Sequence, residues 1–142
     1  MDDLKVVFDA SESGPAMGRV KSALLAHNFA ATGIASYYPV NYYLRTPRGE
    51  VMGGVTGLIW GGVLYISFVW VDEATRGKGS GTRLMDAAEA YARERRCHMV
   101  ALDTHSFQAR PFYEKRGYEV VATIDDYPKG HQKFYLKKML TA

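Results

Sequence analysis

The chain has 142 residues, of which 47% are hydrophobic and 23% are charged, and its formal net charge is +3. This length and composition predict one globular domain, residues 1–142, and exclude a disordered chain. The small charge, without a dense basic stripe, argues against nucleic acid as a partner. Because no apolar run reaches about 18 residues and no signal-like leader is visible, we expect a cytoplasmic protein without a membrane partner.

In chain order, the first predicted elements are a short strand and a helix. Residues 5–8 are typical of a strand, and residues 13–30 carry apolar side chains near helical intervals. After residue 33 the chain becomes rich in tyrosine and β-branched residues, which favour strands.

Three strands are predicted next. Residues 40–46 and 51–60 are joined by Pro47-Arg48-Gly49, a turn signal. A Gly61-Gly62 turn then leads into residues 63–71, whose almost continuous apolar run predicts a strand buried on both faces.

The second half of the chain alternates helices and strands. An amphipathic helix over 81–96 is followed by a strand over 99–102, so this strand and the 63–71 strand should pair in parallel at the centre of a sheet. A short helix over 108–116 and strands over 119–124 and 132–138 complete the order β-α-β-β-β-α-β-α-β-β. This is an α/β chain with a mixed sheet.

A glycine-rich turn joins the 63–71 strand to the 81–96 helix. The free N–H groups of a helix's first turn hold phosphate oxygens, and Arg76 and Lys78 add positive charge there. The spacing fits neither a Walker A loop nor a dinucleotide fingerprint. It fits Arg-x-x-Gly-x-Gly, with Arg76, Gly79 and Gly81.

About thirty residues later the chain reads Ala-Arg-Pro-Phe-Tyr-Glu-Lys-Arg-Gly-Tyr over residues 109–118. This segment and the Arg-x-x-Gly-x-Gly loop, in this order and spacing, resemble the GCN5-related N-acetyltransferase superfamily. The resemblance implies that family's fold, a mixed sheet with helices on both sides. It also implies acetyl-coenzyme A as cosubstrate and a primary amine of a small molecule or a peptide as acceptor.

The resemblance also implies which residues bind the cosubstrate. The pyrophosphate would lie on the backbone amides of the loop, and the pantetheine arm would run beside the preceding strand, where two parallel strands splay apart. A serine, Ser106, stands where relatives commonly have asparagine. The implied binding residues are Val69, Trp70, Val71, Arg76, Gly77, Lys78, Gly79, Ser80, Gly81, Thr82, Ser106, Ala109 and Phe112, of which Phe112 is also typical of a core residue.

Tyr113 is the residue that the resemblance assigns to chemistry. Its hydroxyl would protonate the departing thiolate. A phenol titrates near ~10 and a thiol near ~8.5, so the tyrosine is a weak acid, but it can share or transfer a proton as negative charge builds on sulfur. The reaction also needs a neutral amine, so a base or a desolvated pocket is required. We rank Asp103 and His105 first, since both follow a central parallel strand, ahead of Glu50, Tyr65 and Asp125.

The acceptor itself is left open by the sequence. The first helix, the loop after it and the last hairpin are expected to build its pocket. Aromatic side chains in these segments could bind a cationic amine, although strand tyrosines are also ordinary sheet surface or dimer contacts. They are Tyr37, Tyr38, Tyr42, Tyr43, Trp60 and Tyr127. A homodimer is possible, and a sensor that binds acyl-coenzyme A without turnover is the alternative function.

Two further expectations concern cysteine and histidine. Cys97 is the only cysteine, so no internal disulfide can form, and its position before an apolar strand predicts burial. The four histidines lack the spacing of metal ligands, so we expect no metal site.

Overall fold

A computed structural model describes residues 3–140 in two compact units, divided between residues 35 and 36. The first unit contains helix α1 (Pro15–Thr32), close to the predicted 13–30 helix. A proline in its first turn suits the start of a helix, and Gly33 ends it with a left-handed φ of 72°. The single-domain organisation stays a prediction.

The predicted first strand over residues 5–8 is wrong. These residues form no strand, and no strand in residues 3–140 pairs with them. Val6, Val7 and Phe8 are almost fully exposed. A strand needs a neighbour for its backbone hydrogen bonds, so local β propensity is not enough.

The second unit consists of a sheet with two α-helices. Its strands are β1 (Tyr37–Arg45), β2 (Val51–Trp60), β3 (Val63–Val71), β4 (Met99–His105), β5 (Glu119–Asp125) and β6 (Gln132–Met139). They lie in the order β1-β2-β3-β4-β6-β5, and every pair is antiparallel except β3 with β4. The predicted α/β class, the mixed sheet and its central parallel pair are confirmed.

Two α-helices interrupt the strands of this unit: α2 (Ser80–Glu94) and α3 (Arg110–Lys115). Helix α2 packs across β1, β2 and β3. It buries one stripe, which consists mainly of Leu84, Met85, Ala88 and Ala92, and it leaves its charged residues mostly exposed. This is the amphipathic pattern that the sequence predicted.

The core lies between α2 and the sheet. Its most completely buried side chains are Leu64, Met85, Leu102, Leu136, Val55 and Val100. Cys97 is buried beside them, as expected. No helix within residues 3–140 is long and apolar enough to cross a lipid bilayer.

Strand β3 is not buried on both faces, which corrects the sequence-based prediction. Leu64 and Ile66 are buried, but Tyr65, Phe68 and Trp70 are 39%, 75% and 50% exposed. Successive side chains of a strand point to opposite faces, and the extra residue Ser67, between the Gly57–Ile66 and Thr56–Phe68 pairs, turns Phe68 and Trp70 to the face opposite Leu64 and Ile66. Only one face of β3 meets the core, and the second half of the strand borders a cavity.

The irregular geometry of β3 opens this cavity. A bulge against β2 lies at Thr56 and Gly57, where a Cβ on Gly57 would stand 2.5 Å from the Tyr65 carbonyl oxygen. Pairing between β3 and β4 covers only residues 63–66 with 99–102. Beyond these pairs the two parallel strands diverge, as the resemblance implied.

Candidate active site

A cavity of about 650 Å³ occupies the space where β3 and β4 diverge. Its walls come from the second half of β3, the end of β4, the loop before α2, and α3. Ligand pockets of this size are common at the carboxyl ends of parallel strands. We call it the splay cavity.

Most of the predicted site residues line the splay cavity. The lining residues among them are Val69, Trp70, Val71, Arg76, Gly81, Asp103, His105, Ala109, Phe112 and Tyr113. Those outside the lining are Gly77, Lys78, Gly79, Ser80, Thr82 and Ser106. Sequence reasoning missed Ile66, Ser67, Phe68, Leu102, Phe107 and Gln108, which also line it.

The loop before α2 presents backbone N–H groups. Gly79 immediately precedes the helix with a left-handed φ of 75°, a conformation that glycine adopts without steric cost. The N–H groups of residues 80–82 make no hydrogen bond with other described groups. Since the helix dipole also favours negative charge here, this helix start can bind an anion.

Side chains of the loop hold it in shape. The Ser80 hydroxyl is 3.2 Å from the Thr75 carbonyl oxygen, to which it donates. The Arg76 Nε donates to the Val71 carbonyl oxygen at 3.1 Å, so the guanidinium lies against the end of β3 at the cavity wall. Arg76 therefore joins the anion-binding loop to the strand beside the cavity.

The open edge of β3 offers backbone groups to an extended ligand. After Ile66 the strand has no partner on the β4 side, while its other side stays paired with β2 as far as Val71. An extended chain can use such an edge for strand-like hydrogen bonds. The edge, the cavity and the anion-binding loop adjoin one another at the carboxyl end of β3.

Tyr113 stands on α3 against the cavity. Its residue is 7% exposed, and its ring packs edge to face with Phe112 and Tyr118. Its hydroxyl has no hydrogen-bond partner among residues 3–140. Burial raises the pKa of this phenol, because the charged form is penalised away from water. Tyr113 is therefore protonated at neutral pH, with a proton to donate.

Both carboxylate oxygens of Asp103 already have partners. The Tyr65 hydroxyl donates to Oδ2, and the Lys133 Nζ lies 3.6 Å from Oδ1. Burial, and then the hydrogen bond and charge of Asp103, raise the pKa of Tyr65 well above its ordinary value. Tyr65 thus stays neutral and donates, so a partner engages each oxygen of Asp103.

His105 has a defined tautomer. Its Nδ1 is 3.0 Å from the Tyr127 carbonyl oxygen, and a carbonyl oxygen can only accept. The Nδ1 therefore carries the hydrogen, so in the neutral ring Nε2 has the free lone pair. The ring is stacked on Phe107 with centroids 5.2 Å apart, which fixes its plane.

Ser106, which the resemblance implied as a cofactor contact, lies outside the cavity lining, whereas Gln108, for which no role was predicted, belongs to it. The Ser106 hydroxyl accepts a hydrogen bond from the Gln132 N–H at 3.0 Å and lies outside the cavity lining. Gln108 does line the cavity, and its Oε1 accepts from the His105 N–H at 2.7 Å. A polar residue just before a short helix is a signal for such a turn contact, although it does not identify the partner.

The remaining candidates lie away from the splay cavity. Glu50 is exposed in the β1–β2 turn, and Asp125 accepts a hydrogen bond from the Gln132 side chain. Of the six aromatic residues predicted for the acceptor pocket, Tyr127 contacts His105, and none belongs to the lining of this cavity. Throughout the described chain, no three His, Cys, Asp or Glu side chains are grouped to hold a metal ion.

Comparison with known proteins gives the family of the chain. Residues 18–118 match the model of the Acetyltransferase (GNAT) family. The chain therefore belongs to this family and is an acetyltransferase.

Individual relatives agree with this assignment. The chain is 43% identical to blasticidin-S acetyltransferase of Streptomyces morookaense over 69% of this chain and 73% of the relative. It is 32% identical to a crystal structure of an acetyltransferase from Bacillus cereus, with a TM-score of 0.80 over 93% and 98% of the two chains. A Bacillus anthracis structure in complex with acetyl coenzyme A has the same fold (22% identical, TM-score 0.62, covering 72% of this chain and 63% of that one).

Proposed function

We propose that this acetyltransferase moves an acetyl group from acetyl-coenzyme A to a primary amine of a small molecule by direct attack. Blasticidin S is the first acceptor to test, because a relative that is 43% identical carries that name. The observation that carries the proposal is the Tyr113 hydroxyl: the residue is 7% exposed and lines the splay cavity, and the hydroxyl oxygen has no hydrogen-bond partner among the described residues and is not sealed from the cavity.

The donor would be held at three places. The N–H groups of residues 80–82 would bind the diphosphate, with Arg76 and Lys78 as nearby positive charges. The open edge of β3 at Val69, Trp70 and Val71 would pair with the pantetheine arm. The thioester would then lie in the cavity near Tyr113, and Ala109 and Phe112 would border it.

His105 is the better of the two candidate bases. Its Nε2 has a free lone pair, whereas both oxygens of Asp103 are engaged by Tyr65 and Lys133. A lysine-like ammonium is neutral at pH 7 only about once in ~2,500 molecules, a deficit of roughly 4.6 kcal/mol. A base that takes the ammonium proton removes much of this deficit. Asp103 would instead hold the Tyr65 and Lys133 side chains in position.

The proton balance of the reaction uses two side chains. His105 takes a proton from the ammonium, and the neutral amine then attacks the thioester carbonyl carbon. As the new C–N bond forms, the C–S bond breaks and the sulfur takes its electron pair. Tyr113 gives its proton to that sulfur, the attacking nitrogen loses its second proton through solvent, which restores the phenol, and His105 returns the ammonium proton to solvent.

The first experiment asks whether the donor binds. Acetyl-coenzyme A should raise the melting temperature of the purified protein, because a ligand that binds only the native state stabilises it. Thiol release with blasticidin S and a panel of other amines then measures turnover. Binding without release of thiol from any amine would favour the acyl-coenzyme A sensor, and no thermal shift would count against both functions.

The second experiment tests the acid. Tyr113→Phe should lower kcat about a hundredfold, the usual contribution of a general acid, and leave the KM for acetyl-coenzyme A nearly unchanged. Tyr91→Phe is the matched control, because Tyr91 lies on α2 outside the cavity lining and its hydroxyl contacts only Arg95. Equal kcat for Tyr113→Phe and wild type would show that the acid assignment is wrong.

A further inference from the structure

A buried ionic cluster lies outside the splay cavity, centred on Glu89 of α2. Its Oε1 is 2.7 Å from the Lys138 Nζ, and its Oε2 accepts from the Tyr118 hydroxyl at 2.8 Å. The Arg116 Nη2 is 3.1 Å from the same Oε2 and 2.8 Å from Asp86 on the preceding turn of α2. The Glu89 side chain is only 3% exposed.

Stability alone does not account for this cluster. Removing charges from water is costly, so a well-packed apolar group at Glu89 would often be as stable as a buried ion pair. An apolar group makes no directional contacts, whereas a carboxylate that accepts from three donors fixes the positions of the segments that carry those donors. The segments joined here are α2, the residues at the end of α3, and β6.

These segments connect the loop that is proposed to bind the diphosphate with the helix that carries the proposed acid. Helix α2 begins at the loop that would bind the diphosphate, and α3 carries Tyr113. Tyr118 links the cluster to Tyr113 in two ways, since its ring packs on the Tyr113 ring with centroids 5.9 Å apart and its N–H donates to the Tyr113 carbonyl oxygen at 3.1 Å. Gly81 and Phe112 add a close contact near the start of α2.

We propose that Glu89 is a positioning residue, which fixes α3 and the Tyr113 hydroxyl relative to the anion-binding loop. This inference rests on the proposed function, because it takes Tyr113 as the acid. When the diphosphate of acetyl-coenzyme A is bound at the loop, its thioester lies at a fixed distance from that loop. A small displacement of α3 would therefore move the Tyr113 hydroxyl away from the sulfur. Glu89 touches neither donor nor acceptor and acts through Tyr118.

Two conservative variants test the positioning role by kinetics. Tyr118→Phe removes one hydroxyl from the cluster, and Glu89→Gln keeps the shape of the side chain but removes its charge. Each should lower kcat about tenfold, with the KM for acetyl-coenzyme A changed by less than about twofold, since the loop stays intact. Val55→Ala, a core truncation in β2, is the control for general destabilisation and should keep wild-type kcat well below its melting temperature.

A double mutant separates positioning from a merely structural role. In a Tyr113→Phe background the acid is already absent, so adding Tyr118→Phe should change kcat by less than about twofold. An undiminished tenfold loss in that background would overturn the proposal. So would wild-type kcat in both cluster variants, or an equal loss in Val55→Ala.

A readout without turnover completes the test. In protein labelled with carbon-13 at the tyrosine rings, the Tyr113 signal is identified by its loss in Tyr113→Phe. Glu89→Gln should shift or broaden that signal, and an unchanged signal would overturn the proposal.

If Tyr113→Phe is itself as fast as wild type, Tyr113 is not the acid of the proposed function, and the positioning role of Glu89 is overturned as well. If Tyr113→Phe is slow but the cluster variants are normal in kcat and signal, only the inference fails.

Discussion

The two halves of strand β3 differ in what surrounds them. In the first half, residues 63–66 pair with β2 and β4, and Leu64 and Ile66 are buried in the core. In the second half the β4 partner is missing, Phe68 and Trp70 are largely exposed, and the strand borders the splay cavity. One continuous apolar run thus serves first as core and then as the wall of a binding site.

The splay cavity depends on a break in regular structure. A sheet with β3 and β4 paired along their whole length would have no room for a ligand between them. The bulge at Gly57 and the divergence after Ile66 leave backbone groups without partners, which is costly unless water or a ligand satisfies them. Stability should therefore depend on the first half of β3, and ligand binding on the second.

The largest expected effect is a loss of protein stability when a side chain in the first half of β3 is truncated. Leu64→Ala should lower the free energy of unfolding by about 3 kcal/mol, because Leu64 is completely buried and the truncation leaves a cavity. Urea unfolding of both proteins measures the difference. A loss below about 1 kcal/mol would show that this half of the strand is not the rigid part of the fold.

The next effect concerns the bulge that separates the two halves. Gly57→Ala should cost about 2 kcal/mol, since the new methyl would stand 2.5 Å from a backbone oxygen and the strand would have to shift. Thr56→Ala, the matched control on the neighbouring residue, adds no atom and should cost less than about 1 kcal/mol. Equal melting temperatures for Gly57→Ala and wild type would contradict the close approach.

Sequence patterns predicted the regular parts of the fold. The turns, the amphipathic stripe of α2 and six of the seven predicted strands have local signals, and their bounds agree within a few residues with those found. Residues 5–8 failed because pairing is decided by the rest of the chain. The burial of β3 on both faces failed for a similar reason: an apolar run does not reveal where a neighbouring strand departs.

The candidate site was predicted through its motifs rather than through its contacts. Tyr113, Arg76 and Gly81 lie at the cavity, as do Asp103 and His105. The contacts that distinguish His105 from Asp103 are hydrogen bonds to Tyr127 and Tyr65 and an ion pair with Lys133, and these partners are distant in sequence. No local pattern encodes such contacts, and the role of Gln108 was missed for the same reason.

A smaller effect is expected where the two halves of the strand meet, at the Tyr65–Asp103 hydrogen bond. Tyr65→Phe should cost about 1 kcal/mol at neutral pH, the usual net value of one hydrogen bond. The pKa of Tyr65 is raised in the folded state, chiefly by burial and then by Asp103, so this contribution is present below about pH 10 and is lost as pH rises further.

Urea midpoints of wild type and Tyr65→Phe at about pH 8 and about pH 10.5 test this sign. The difference in stability between the two proteins should narrow at the higher pH. The other tyrosines are present in both proteins and cancel in the comparison. A difference that widens as pH rises would mean that the Tyr65 hydroxyl is not held in its neutral form by the fold.

The smallest effect on stability is expected in the second half of β3. Phe68→Ala should change the free energy of unfolding by no more than about 0.5 kcal/mol, because three quarters of this side chain is already exposed. It lines the splay cavity, however, so calorimetric titration should show weaker binding of acetyl-coenzyme A. A stability loss as large as that of Leu64→Ala would mean that Phe68 is packed in solution, and the distinction between the two halves of β3 would then be wrong.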